Sequence, residues 1–168
     1  MTRSPFVLNV ADLLGRDASP RPETVSAPVD WGTEWMHVVA EPPLVADLVL
    51  HHVSGGVAVT GRVGFTTEET CMRCLDVTTT ERSTAIAALF DRNADDEESY
   101  PLQGNDIDVE QMLRDEVLLS LPINHVCGDD CPGLVNSAGS DLNTGSSGDE
   151  GDVRSPFSVL KDLLEPED

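Results

Sequence analysis

Hydrophobic and polar residues alternate most clearly in the middle of the chain. Val57, Val59, Gly61, Val63 and Phe65 occupy every second position, the spacing that places side chains on one face of a β-strand. The run before them, 44–53, is apolar and rich in β-branched residues, and Ser54-Gly55-Gly56 separates the two. Glycine reaches positive φ at little cost, so this is a tight-turn sequence and the pair reads as a β-hairpin. Residues 77–90 are again rich in Thr and apolar residues. They read as a third antiparallel strand, with Cys71-Met72-Arg73-Cys74 at the turn leading into it. Upstream the pattern weakens. Residues 6–14 alternate loosely, as an edge strand would, 16–22 form a polar, proline-broken linker, and 31–39 read as a strand ended by Pro42-Pro43.

The period then changes. Val109, Leu113, Val117 and Leu121 recur every fourth residue, with Met112, Leu118 and Leu119 widening the stripe. Asp108 can cap this helix, Gln111 completes a capping-box-like pair, and Pro122 stops it. A helix with one apolar side must lie on something, and the sheet supplies it. Residues 91–106 form an acidic loop before the helix. Beyond Gly128 order fades: 136–151 are Ser, Gly, Asn, Asp and Glu with little apolar content, the composition of a flexible segment. A short amphipathic stretch follows, with Ser155 as N-cap, Pro156, then Phe157, Val159, Leu160, Leu163 and Leu164. The expected fold is α+β, a small antiparallel β-domain with one packed helix at 108–121 and a flexible acidic C-terminal tail ending in a short helix. Three regions are expected: an N-terminal strand and linker at 1–43, a β-rich core with the cysteine pairs and the helix at 44–134, and the tail at 135–168.

Composition adds constraints. Only 4% of the 168 residues are aromatic, so the core must be built from Val, Leu, Ile and Ala, with Trp31 and Trp35 anchoring one edge. The net charge is −21, from 31 acidic and 10 basic residues, and Lys161 is the single lysine. Such a surface repels phosphate backbones. Direct, sequence-specific nucleic-acid binding by the chain alone is therefore disfavoured. The excess acid serves either solvation or a basic partner. No apolar run reaches the ~18–20 residues of a membrane helix, and the N-terminus lacks the apolar stretch of a secretory signal. A cytoplasmic location is expected, where paired cysteines more often bind metal or do redox work than form disulfides.

All four cysteines fall in two pairs, Cys71-x-x-Cys74 and Cys127-x-x-x-Cys131. Tetrahedral zinc takes four N or S ligands, and a short-spaced pair lets one turn supply two of them. The first pair sits at a strand-to-strand turn, the second after a helix stop, and His125 offers a spare ligand. Three readings stay open: a zinc site of Cys71, Cys74, Cys127 and Cys131; unmetallated thiols packing as small hydrophobes; or a redox dithiol of Cys71 and Cys74. The last lacks the helix N-terminus that would lower its pKa. Other chemistry is thin. His37, His51, His52 and His125 have no motif around them. There is no phosphate-binding glycine loop, no H-E-x-x-H and no nucleophile elbow, so no enzyme is expected.

Three elements in order resemble a known family. They are Cys71-Met72-Arg73-Cys74-Leu75, then Ile107-Asp108-Val109 followed by Asp115-Glu116-Val117-Leu118-Leu119-Ser120-Leu121-Pro122, and then Cys127-x-x-x-Cys131-x-Gly133-Leu134. In that order, with the ending Ser155-Pro156-Phe157-Ser158-Val159-Leu160-Lys161, residues 44–164 resemble the YceD family, also called the large ribosomal RNA subunit accumulation protein family. The resemblance implies a non-enzymatic role in accumulating large-subunit rRNA, hence in building the large ribosomal subunit, with a ribosomal protein or a pre-large-subunit particle as partner. Members are often encoded beside a large-subunit ribosomal protein. This chain departs from the family in its tail. Val135 and Ala138 stand where many relatives carry two further cysteines, and Ser146 and Ser147 where more are expected. Cys127 and Cys131 must then find partners in Cys71 and Cys74, or have none.

Overall fold

The longest elements of the computed structural model, which describes residues 4–15, 18–94 and 99–134, are two strands of equal length. These are β6 (Gly56–Thr70) and β7 (Val77–Asp91), each of 15 residues and paired antiparallel along their whole length, from Gly56↔Asp91 to Thr70↔Val77. Their connecting turn carries Cys71 and Cys74. β5 (Leu44–Val53) pairs with the first half of β6, from Val53↔Gly56 to Val45↔Gly64, and β2 (Arg21–Ala27) lies outside it. β4 (Met36–Val38) pairs with the other end of the same edge, Val38↔Thr67 to Met36↔Glu69, and β3 (Trp31–Thr33) flanks it. Thus β4 and β5 lie end to end along β6, joined through Pro42 and Pro43. On the far side, β8 (Tyr100–Gln103) joins β7 in a short parallel pairing, and β9 (Asp106–Asp108) and β1 (Val7–Asn9) complete the order.

Strand alternation explains where the core sits. Val57, Val59, Val63 and Phe65 of β6 are buried, as the period of two requires, and meet Leu44, Ala46, Leu48 and Leu50 of β5. At Gly61, on the same face, a Cβ would come within 2.1 Å of the Asp47 carbonyl oxygen, so only glycine fits this close approach. The helix α1 (Glu110–Ser120) buries Met112, Leu113 and Val117 and packs against β7 and β3. Val109, rather than the expected Asp108, occupies the N-cap position and makes no side-chain cap bond, while Asp108 Oδ1 accepts the Glu110 N–H at 3.0 Å from just outside the helix. No described helix is long and apolar enough to cross a membrane.

The expected α+β fold, a small antiparallel domain with a packed helix, is corrected by this architecture. Nine strands curl into a half-barrel sheet that dominates the described residues, with one α-helix among them and one parallel pairing within the sheet. The reading fell short in three places, one of them the expected acidic loop at 91–106, where Tyr100–Gln103 forms β8 and Asp106 opens β9. The inward face of β6 continues past Phe65 through Thr67 and Glu69, both buried, and polar residues there conceal the strand. Arg21–Ala27, with Pro22 on a sheet edge where its missing N–H costs nothing, likewise hides a strand inside polar sequence.

Two smaller expectations also change. Trp31 is buried and stacks near Phe6 at 6.2 Å between ring centroids, whereas Trp35 is exposed and anchors no core. Leu119, expected to widen the apolar stripe of the helix, is exposed as well. The chain divides into two units, Met1–Cys131 and Pro132–Asp168, and every feature described below belongs to the first. The flexible segment at 136–151, the amphipathic stretch at 155–164 and the acidic pair Asp95-Asp96 lie outside the described residues.

Candidate metal centre

Inner positions of β7 are apolar at one end, Ile86, Ala88 and Phe90, and polar at the other, Thr78, Thr80, Arg82 and Thr84. The polar half, with Thr67 and Glu69 across from it on β6, leads to the turn that bears the first cysteine pair. That turn is closed by Cys71 N–H donating to the Asp76 carbonyl at 2.8 Å and Leu75 N–H to the Cys71 carbonyl at 2.9 Å, with Leu75 at a φ of 65°. After α1 and Pro122, the chain returns to this turn. Met72 N–H donates to the His125 carbonyl at 2.9 Å, and a second turn, Cys131 N–H to the Gly128 carbonyl at 3.2 Å, presents the second pair.

The two turns bring all four sulfurs together. Their Sγ atoms lie within 4.8 Å of one another, with Cys71–Cys131 and Cys74–Cys127 each at 3.7 Å. A disulfide would need ~2.05 Å, and all four cysteines are free. With Zn–S at ~2.3 Å, the edge of a tetrahedron of thiolates is ~3.8 Å, close to these two separations of 3.7 Å. The four cysteines could therefore hold a metal ion, and each close contact joins one pair to the other. Cys127 and Cys131 thus have neighbours in Cys71 and Cys74 despite Val135 and Ala138 in the tail.

Local electrostatics favour a cation here. Backbone N–H groups of Cys74, Cys127 and Arg73 converge on Cys71 Sγ, the last two at 3.4 Å, and bring its thiol down to about 5 against the effect of burial. Cys74 moves the other way, to about 12. The Asp76 N–H favours its thiolate, but burial and the sulfurs of Cys71, Cys131 and Cys127 outweigh that help. Cys127 is also raised, first of all by Cys131. The Cys71 thiol is lowered while those of Cys74 and Cys127 are raised, a pattern that a bound dication would remove.

Sequence reasoning missed the network beside the cysteines. Glu69 is fully buried, with Oε1 2.5 Å from Arg82 Nε and Oε2 2.8 Å from Arg82 Nη2. Thr67 Oγ1 donates to Oε1 at 2.5 Å, and His125 Nδ1 lies 2.7 Å from Oε2. Burial alone would raise the Glu69 carboxyl. The hydrogen bonds from Arg82 and Thr67, and the charges of Arg82 and His125, prevail and hold it below the usual carboxylate value. His125, expected as a spare ligand, has both ring nitrogens engaged here, the second with Thr78 Oγ1 at 2.8 Å. Its ring is thereby tied to β6 and β7, two residues before Cys127. The signal available in sequence was register: extending the alternation of β6 by four residues places Glu69 in the interior.

Comparison with family models matches residues 59–164, which include all four cysteines, Glu69, Arg82 and the helix, to the family described as Large ribosomal RNA subunit accumulation protein YceD. Uncharacterized proteins of Mycobacterium tuberculosis and Mycobacterium bovis are 31% identical over 173 residues, covering 98% of this chain and 84% of their own. One of Mycobacterium leprae is 27% identical over 174 residues, covering 98% and 80%. No solved structure matches the chain. The chain belongs to the YceD family, whose name ties it to the accumulation of large-subunit ribosomal RNA.

Proposed function

We propose that this protein is a non-enzymatic, cytoplasmic accessory factor of large ribosomal subunit biogenesis. It supports accumulation of large-subunit rRNA by binding a basic ribosomal protein, free or on a pre-large-subunit particle, and it carries a structural zinc ion on Cys71, Cys74, Cys127 and Cys131. The family match across residues 59–164 carries the assembly role. The net charge of −21 supports a basic partner rather than naked RNA. The grouping of the sulfurs supports zinc, which prefers tetrahedral thiolates and would supply structure without redox chemistry.

A redox role for Cys71 and Cys74 has the lowered Cys71 thiol in its favour. It ranks second because Cys71 is buried, and because each of these cysteines has a sulfur of the other pair at 3.7 Å.

If the acidic surface captures a basic protein, binding is salt-sensitive. The purified full-length protein is expected to retain a basic protein from an extract of large-subunit proteins at ~0.1 M salt and to lose it at ~1 M, as the Debye length falls from ~10 to ~3 Å. Binding unchanged over that range, or absent, would count against the partner reading.

A further inference from the structure

Beside the cysteine turns lies a groove of about 440 Å³ that the sulfur cluster does not use. Three separate loops each contribute an apolar side chain to it. Trp35 comes from the β3–β4 turn, Met72 from the first cysteine turn, and Ile123 from the segment after the helix, and Leu118 and Leu121 line it as well. These three loop residues are 56%, 57% and 98% exposed. A chain with so few aromatic residues has little reason to leave a tryptophan in water beside a methionine and an isoleucine, and contiguous apolar exposure of this kind marks a contact surface. Next to it, a second cleft shares Gly32 and Thr33 with the groove and is lined by Asp30, Glu34 and His37. The apolar surface therefore has an acidic border.

We propose that this groove docks a basic amphipathic segment of a large-subunit ribosomal protein, an inference that rests on the partner reading above. Apolar side chains of the segment sit on Trp35, Met72 and Ile123, and its Lys or Arg residues meet Asp30 and Glu34. Charge selects this occupant. A second copy would bring another −21 against the first, and RNA would bring phosphates to an acidic border. The hydrogen bond from Met72 N–H to the His125 carbonyl ties two walls of the groove together, so the cysteine turns shape the contact surface.

The test uses the full-length protein with a photo-reactive amino acid at position 123, and a control at Val45, 40% exposed on the outward face of β5. The probe is the protein extract of salt-washed large subunits, with large-subunit rRNA supplied separately. Cross-linking from position 123 to a basic large-subunit protein, lost at high salt and absent from position 45, is the expected result. Ile123→Asp, at a site that contributes nothing to the core, is expected to weaken that binding at least tenfold. If a basic protein binds but position 123 stays silent, or Ile123→Asp binds like the wild type, the groove is not the site and the partner reading survives. A cross-link only to rRNA or to a second copy overturns the proposed occupant. Absence of any bound protein overturns both.

Discussion

Cys131→Ser is expected to reduce bound zinc well below one equivalent and to lower the melting temperature of the zinc-loaded protein by roughly 10 °C or more. The size follows from linkage. A ligand present at ~1,000 times its Kd stabilises the folded state by ~4 kcal/mol, and each kcal/mol is worth roughly 3 °C in a domain of this size. Cys131 is buried and 3.7 Å from Cys71, so a hydroxyl there replaces a thiolate in a place that water does not readily fill. Cys127 is exposed, and Cys127→Ser leaves room for a water as fourth ligand and is expected to cost less. Native mass spectrometry counts the metal and calorimetry reads the stability. A wild-type protein that binds no zinc and melts at the same temperature with and without chelator would remove the metal from this picture.

Arg82→Ala is expected to destabilise the zinc-loaded protein by about 3–5 kcal/mol, the usual cost of breaking a buried ion pair by removing one partner. Arg82 itself is 26% exposed, but Glu69 is 0% exposed and would keep its desolvation penalty with its principal counter-charge gone. Glu69→Gln keeps an acceptor for Arg82 and Thr67 and should cost nearer ~1–2 kcal/mol. Arg62→Ala is the control, since Arg62 makes one exposed bond to Ser83 Oγ at 3.2 Å and its loss should stay within ~0.5 kcal/mol. Urea unfolding measures all three. An Arg82→Ala protein as stable as Arg62→Ala would mean that the network beside the cysteines holds nothing together.

What could be read from the sequence follows the strength of each periodic signal. The Val57–Phe65 face and the 3.6-residue stripe of Val109, Leu113 and Val117 were legible because one side of each element is apolar throughout. The far half of the β6–β7 hairpin was not, because its interior is built from Thr67, Glu69, Thr78 and Arg82, which read as surface until the register is extended. In the first forty residues loose alternation showed strands at 6–14 and 31–39 but not their bounds, since β1, β3 and β4 carry only three residues each, while β2 lay concealed in polar sequence. Spacing revealed the two cysteine pairs. It could not reveal that Cys71 meets Cys131 while Cys74 meets Cys127, because the pairing is set by the path of the chain from the helix back to the hairpin turn. His125 misled for the same reason: proximity to Cys127 in sequence suggested a ligand, whereas the buried Glu69 carboxylate claims its ring.

The most direct test of the assembly role is the ratio of large- to small-subunit rRNA in cells depleted of this protein, read together with a sucrose-gradient ribosome profile. A selective loss of large-subunit rRNA and of free large subunits, restored by the wild-type protein, is the expected result. A ratio and profile unchanged by depletion would contradict it.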